Sequence, residues 1–287
     1  MAGTKKKFIP MSFERYGSFK NCYINKKVAN WLKLQNPIVS RYMLYSNFKG
    51  AAEKSHLTFV SPDKWVDPFE KIYLNTKLKN FPSNKNYKPF PIVCLCFTRH
   101  RLGNSDAFWK SFKTNANQQL VRVEFLLKQL IEQICSLAKQ VNVYFSAVNY
   151  QLSPDEIKDE VKFISKILGN NAKKINLEEL YVKMLSYKRQ AFEYEEEMRI
   201  FLVPKKGNTL KIDHEKGIYQ LEKFDYFKAT EHIYLEPLPS GWVTKKMVKN
   251  DLSILSEKIS QSVIYKKQKE CEQVSFKDLE ISKKEDF

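Results

Sequence analysis

The sequence predicts an α+β (or α/β) fold: a single domain in which a mixed β-sheet is flanked by helices and the chain closes on a C-terminal helix. Three observations predict it. The run 92–98, IVCLCFT, is continuously apolar over the length of one strand, which marks a central strand buried on both faces. The stretch 120–150 alternates in LVRVEF, takes helical spacing over 126–138 and returns to a strand over 141–150, a strand-helix-strand unit of the kind mixed architectures use. Hydrophobic residues make up 43% and aromatics 14% of the 287 residues, enough to bury a substantial core.

Taken in order, residues 1–20 mix Lys with Phe without a period and read as an irregular N-terminal arm. The domain spans 21–265, and 266–287 is a Lys/Glu-rich tail with little to bury. A short helix is expected over 25–34, stopped at Asn36-Pro37. IVSRYMLYSNF, 38–48, follows as an aromatic-rich strand carrying Arg41 and Tyr42, and HLTFV, 56–60, as another. An Arg within an apolar strand needs an anionic partner, from the protein or from a ligand. Next, SPDKWVDPFEKIY sets Trp65 and Phe69 in turn chemistry. Asp67 precedes Pro68 and is therefore extended, so its carboxylate either projects from the loop or caps the following turn.

The Asn/Lys/Pro-rich segment 80–91 reads as a loop or a lid. After the central strand, Arg99, His100 and Arg101 form a basic loop, and SDAFWKSF, 105–112, has helical spacing that gathers Phe108, Trp109 and Phe112. These aromatics serve either core packing or stacking on a ligand. A helix over 153–168 opens on Ser153-Pro154-Asp155-Glu156, which supplies an N-cap, a first-position Pro and a capping-box Glu. A second, over 177–190, delivers Lys188 and Arg189 to the acids that follow. Strands are expected over 209–212 and 231–235, and the final helix over 244–263.

The segment 188–203, KRQAFEYEEEMRIFLV, sets a cluster of acids inside an apolar, aromatic run. With a strand's period of two, Glu195, Glu197 and Arg199 share one face. Neighbouring same-face carboxylates repel, raise at least one pKa and need a cation, which Arg199 supplies. A solvated edge strand with a structural ion pair would carry the same pattern.

Several function classes find no support. Only 8 glycines occur, and neither GxGxxG nor GxxxxGK[ST] is present, which argues against Rossmann and Walker-type nucleotide sites. His56, His100, His214 and His232 lie far apart without HExxH, so no metal ligands are expected. Cys22, Cys94, Cys96, Cys135 and Cys271 are odd in number and lack CxxC spacing, which argues for a reducing compartment, with Cys94 and Cys96 as buried thiols. No run approaches a membrane span and MAGTKKKFIP has no secretory core, so a cytoplasmic protein with no membrane partner is expected. The formal charge of +17 suits an acidic partner such as nucleic acid, although dispersed lysines also follow from codon bias. A protein partner is equally compatible, and nothing in the sequence fixes an oligomeric state.

Four segments in sequence resemble the bacterial family catalogued as domain of unknown function 2971: LTFVSPDKWVDPFE (57–70), the pair CFT and AFWKSF (96–112), KRQAFEYEEEMR (188–199) and IYLEPLPS (233–240). Val66, Phe112 and Leu238 depart from the family's usual Asn, Tyr and Gly-Pro turn. The resemblance implies Asp67, Pro68, Phe69, Glu70, Trp109, Glu195, Glu197 and Arg199 as motif positions, and it brings no established activity.

An early Arg on a strand, a hydroxyl ending a central strand (Thr98) and a late Glu-x-Glu strand are together similar to the arrangement of ADP-ribosyltransferases. That likeness implies NAD as substrate, its glycosidic bond breaking through an oxocarbenium-like transition state. Glu197 would stabilise that state, Glu195 would be the acid/base companion, Arg41 would hold the phosphates, and Trp109 or Tyr150 would stack on a ring. Two alternatives stand beside it. Asp67, Glu70, Glu195 and Glu197 could ligate Mg²⁺ in a nuclease, or the acids could be structural in a defence or regulatory module that binds nucleic acid or protein.

Overall fold

The computed structural model describes residues 12–67, 70, 91–99, 106–113, 119–150, 176–205, 207–213, 215–236 and 245–261. The expected loop over 80–91, the helix over 153–168, the tail after 266, and Pro68 and Phe69 lie outside the described residues.

The fold is mixed α/β, built on one open eleven-stranded sheet. Its strands are β1 (Phe13–Arg15), β2 (Cys22–Asn25), β3 (Ile38–Leu44), β4 (His56–Val60), β5 (Val93–Thr98), β6 (Leu120–Leu126), β7 (Val141–Ala147), β8 (Glu197–Pro204), β9 (Ile218–Glu222), β10 (Thr230–Leu235) and β11 (Ile259–Gln261). The helices are α1 (Lys26–Leu32), α2 (Tyr45–Glu53), α3 (Asp106–Ser111), α4 (Leu127–Leu137), α5 (Leu177–Met184), α6 (Tyr226–Ala229) and α7 (Lys245–Asp251). Across the sheet the order is β1-β2-β7-β8-β5-β3-β6-β10-β11, with β2–β7 and β10–β11 parallel and the remaining neighbours antiparallel.

Local chemistry accounts for several boundaries. Asn25 caps α1, its side chain accepting from the Val28 amide at 3.0 Å, while its amide nitrogen donates to the Ala147 carbonyl and so ties the helix start to β7. The unit β6-α4-β7 forms as expected, but its strands are not neighbours: β3, β5 and β8 lie between them, and four antiparallel steps leave the two running the same way. As predicted, β5 is central and apolar on both faces. Val93, Leu95 and Phe97 join the main core beneath α1, α2, α4 and α6, whereas Cys94 and Cys96 face a second cluster with Tyr144, Leu185, Phe201 and Trp65.

Other expectations need correction. Part of the N-terminal arm is ordered: Phe13–Arg15 pairs antiparallel with Asn25, Ile24 and Tyr23, because Phe13 packs edge-on against Tyr144. The strand expected over 38–48 ends at Leu44, where Tyr45 starts a helix whose apolar face reaches the core. No strand forms over 209–212, and β9, pinned against β4, was not anticipated. The C-terminal helix is short: α7 gives way to a 3-10 segment over Ser253–Lys258 and then to β11, since Leu252, Leu255 and Ile259 bury as well in that path as on one helix face. Cys22 and Cys135, 113 residues apart in sequence, form a disulfide between β2 and α4, which runs against the reducing compartment expected from the cysteine count and spacing.

One irregularity positions the site. On one edge β5 pairs continuously with β8, but on the other it meets β3 only at Ser40↔Thr98 and β4 only at Val60↔Cys94. Two strands compete for one edge, so they splay: β3 continues into β6 and β10, and β4 pairs instead with β9. The sheet forks at β5.

Candidate functional site

A pocket of about 800 Å³ opens at this fork. Ser40, Arg41 and Tyr42 of β3 form one wall, Val60 and the run Lys64 to Asp67 another, Cys94 to Thr98 the floor, and Lys188, Arg189, Phe192, Glu195 and Glu197 the far side. Tyr42 stacks on Phe112 at 4.9 Å and 5°, adding an aromatic surface.

The far side is built by chain register. Thr98 stands opposite Glu197 and Cys96 opposite Arg199 in the β5–β8 ladder, so all four project to one face. The predicted alternation therefore holds for Glu197 and Arg199 but not for Glu195. Residues Gln190–Glu195 form a 3-10 turn and Glu196 is left-handed (φ 41°), which ends it and starts β8. The Glu195 backbone is fixed instead by the Thr98 hydroxyl, which donates to its carbonyl. Asn149 pins the preceding segment: its amide donates to the Ser186 carbonyl and its carbonyl accepts from Lys188. Lys188 thereby reaches Glu195 (2.7 Å), Glu197 (3.1 Å) and Glu70 (3.3 Å), as the sequence suggested.

Arg199 is 1% exposed and fully employed. Its Nε and Nη2 donate to the two oxygens of Glu197 at 2.9 and 3.0 Å, Nη2 also to Glu70 at 3.0 Å, and Nη1 to the Leu185 carbonyl at the end of α5 at 2.6 Å. Trp65 covers the guanidinium at 4.4 Å. Asp67 accepts from Arg189 Nε and Nη2 at 3.2 and 2.8 Å. The Glu197 amide donates to the Tyr150 hydroxyl at 2.7 Å, so Tyr150 props the carboxylate's backbone from outside the pocket lining.

These contacts separate the two acids electrostatically. Burial pushes the Glu197 carboxyl up, but the Arg199 guanidinium and Lys188 together outweigh it and hold it at about 2. For Glu195 burial prevails over Lys188 and its affinity for the proton is raised. Lys188 is raised too, since three carboxylates overcome the cost of its burial. The hydrogen bond between Cys96 and Cys94 and then burial push the Cys96 thiol well up, which disfavours it as a nucleophile.

Arg41 is the contrast. Burial lowers its affinity for the proton, with only Tyr226 and the two thiols opposing, and among the described residues it makes no ion pair and no hydrogen bond. The anion that the sequence demanded is therefore not supplied by the described protein.

Of the predicted site residues, Arg41, Asp67, Glu70, Thr98, Glu195 and Glu197 line the one pocket, and Arg199 lies directly beneath it. Trp109 does not: it is buried against Tyr42 at 4.9 Å, edge to face, and packs α3 onto the sheet. Sequence reasoning missed Lys64, Trp65 and Phe192 as lining residues, while Phe112, one of the aromatics expected to pack or to stack on a ligand, does line the pocket. No three His, Cys, Asp or Glu among the described residues are grouped to hold a metal ion, and no helix there is long and apolar enough to cross a membrane. No protein-family model, curated protein or solved structure matches the chain.

Proposed function

We propose that the protein is an ADP-ribosyltransferase-like enzyme that consumes NAD in the fork pocket. The observation that carries this is the division of charge within one cavity: Arg41 stands without an anion on one wall, and Glu195 and Glu197, their proton affinities displaced in opposite directions, stand on another. A ligand with phosphate at one end and a labile glycosidic bond at the other complements both. As the ribose C1′–N bond of NAD breaks, its electron pair leaves with nicotinamide and positive charge spreads over C1′ and the ring oxygen. Glu197, ionised throughout the neutral range, lowers the energy of that charge. The acceptor's oxygen or nitrogen then bonds to C1′ and its proton passes to Glu195, the stronger base of the pair. Such chemistry suits a bacterial defence or toxin-like effector, with nucleic acid or protein as acceptor.

A structural role is the second reading, favoured by one observation: both Glu197 oxygens already accept from Arg199, and one also from Lys188. The Mg²⁺-nuclease alternative draws no support from the pocket, because Asp67, Glu70, Glu195 and Glu197 each face a Lys or Arg.

The purified chain and its Glu197→Gln variant, incubated with NAD with and without nucleic acid or lysate, separate these. Nicotinamide release that falls at least about 100-fold in the variant, with folding intact, supports the enzyme. Release that persists in E197Q, or that neither protein produces, overturns it.

A further inference from the structure

Lys64 is a second cation in the pocket without a carboxylate. It follows β4, on the branch of the fork opposite Arg41, and its Nζ makes only a long, exposed contact of 3.4 Å to the Glu215 carbonyl. Its stem is nevertheless placed. Gly217 has φ +64°, and a Cβ there would lie 2.9 Å from Lys64 Cε and 3.0 Å from Cγ, so the glycine provides the groove in which the lysine lies. The Ser61 amide donates to the Gly217 carbonyl at 2.7 Å, locking that groove to the start of the Pro62–Lys64 turn. The pocket's other described cations, Lys188 and Arg189, are each matched by acids, which leaves Arg41 and Lys64 as a pair of unmatched charges on the two branches.

We propose that the pocket takes a diphosphate, with one phosphate at Arg41 and the next at Lys64, so that its ligand class is the nucleoside diphosphate or a dinucleotide containing one. A mononucleotide would leave one of the two cations unanswered. This rests on the pocket's being a nucleotide site, as proposed above, but requires no glycosidic cleavage.

Titration calorimetry of the full chain with ADP, AMP, inorganic pyrophosphate and inorganic phosphate tests it. ADP should bind at least about tenfold tighter than AMP, and pyrophosphate tighter than phosphate. Lys64→Gln should bring ADP down to the level of AMP while leaving AMP unchanged, and Gly217→Ala should act in the same direction by displacing the stem without removing charge. Arg41→Gln should weaken both nucleotides, with a thermal melt confirming the fold. Equal affinity for ADP and AMP in the native chain, equal weakening of both by K64Q, or no binding of any probe overturns the proposal. ADP selectivity without nicotinamide release leaves the diphosphate site standing and removes the transferase. Nicotinamide release lost in E197Q but without ADP selectivity does the reverse.

Discussion

Arg199 and Arg41 place the same guanidinium on the two strands that flank β5, and the protein treats them in opposite ways. Around Arg199 each of the three nitrogens donates, to two carboxylates and a carbonyl, an indole face covers the plane, and the group is held more firmly protonated than usual. Around Arg41 the described protein offers two thiols and a phenol, and burial weakens its hold on the proton. A buried charge with a full set of partners belongs to the architecture; a half-buried one left unaccompanied, as Arg41 is, adds little to stability and can even lower it. In the function proposed above, the two arginines distinguish the part of the pocket that holds itself together from the part that would receive the ligand.

Removing Arg199 should break the comparison most severely. Arg199→Ala leaves Glu197 and Glu70 buried with Lys188 as the remaining cation, and the cost should be about 3–5 kcal/mol, measured by urea unfolding. A loss below ~1 kcal/mol would mean that the network is dispensable.

Acid should act on the same network with a smaller effect. The Glu197 carboxyl sits at about 2 in the folded chain against an ordinary 4.5, so its contribution is complete above the unfolded value and disappears as pH falls between the two. That is on the order of 3 kcal/mol at most. Glu195, raised in the folded state, acts with the opposite sign: its proton binds the folded chain first, so stability gains slightly before the loss begins. Melting temperature followed from neutral pH to pH ~2 should thus show a shallow rise and then a fall, and E197Q should flatten the fall. An equal acid-dependent fall in E197Q would assign the effect elsewhere.

The mildest test concerns Arg41. Arg41→Met keeps length and removes an unmatched charge, and should raise stability by about 1 kcal/mol while abolishing the stabilisation that ADP confers. A decrease in stability would show that Arg41 serves the fold after all.

What the sequence revealed depended on how local the cause was. The core strand was legible in IVCLCFT because burial on both faces requires an unbroken apolar run, and α1 was legible in outline because Asn36-Pro37 bounds it, although its cap at Asn25 was not read. Lys188 was expected near the glutamates because only a short turn separates them. The conformation at Glu195 was not legible, since FEYE alternates like a strand while the turn is imposed by Thr98 from 97 residues away. Strand β9 was hidden for the same reason: IYQLE is short and buries only Leu221, and β4 supplies its partner. Arg41 was recognised as needing an anion, but that β3 and β4 would contend for one edge of β5, and so give that anion a place, is a property of topology alone.

The contested edge also changes what occupancy would mean for the whole molecule. Past β5 the sheet divides like a Y, one arm running through β3, β6, β10 and β11 and the other through β4 and β9. A molecule lodged in the crotch touches both arms together, Arg41 on one and Lys64 beyond the end of the other. It would act there as a keystone, a piece of the sheet that the chain does not itself encode, and the ligand would carry load between the arms as well as chemistry.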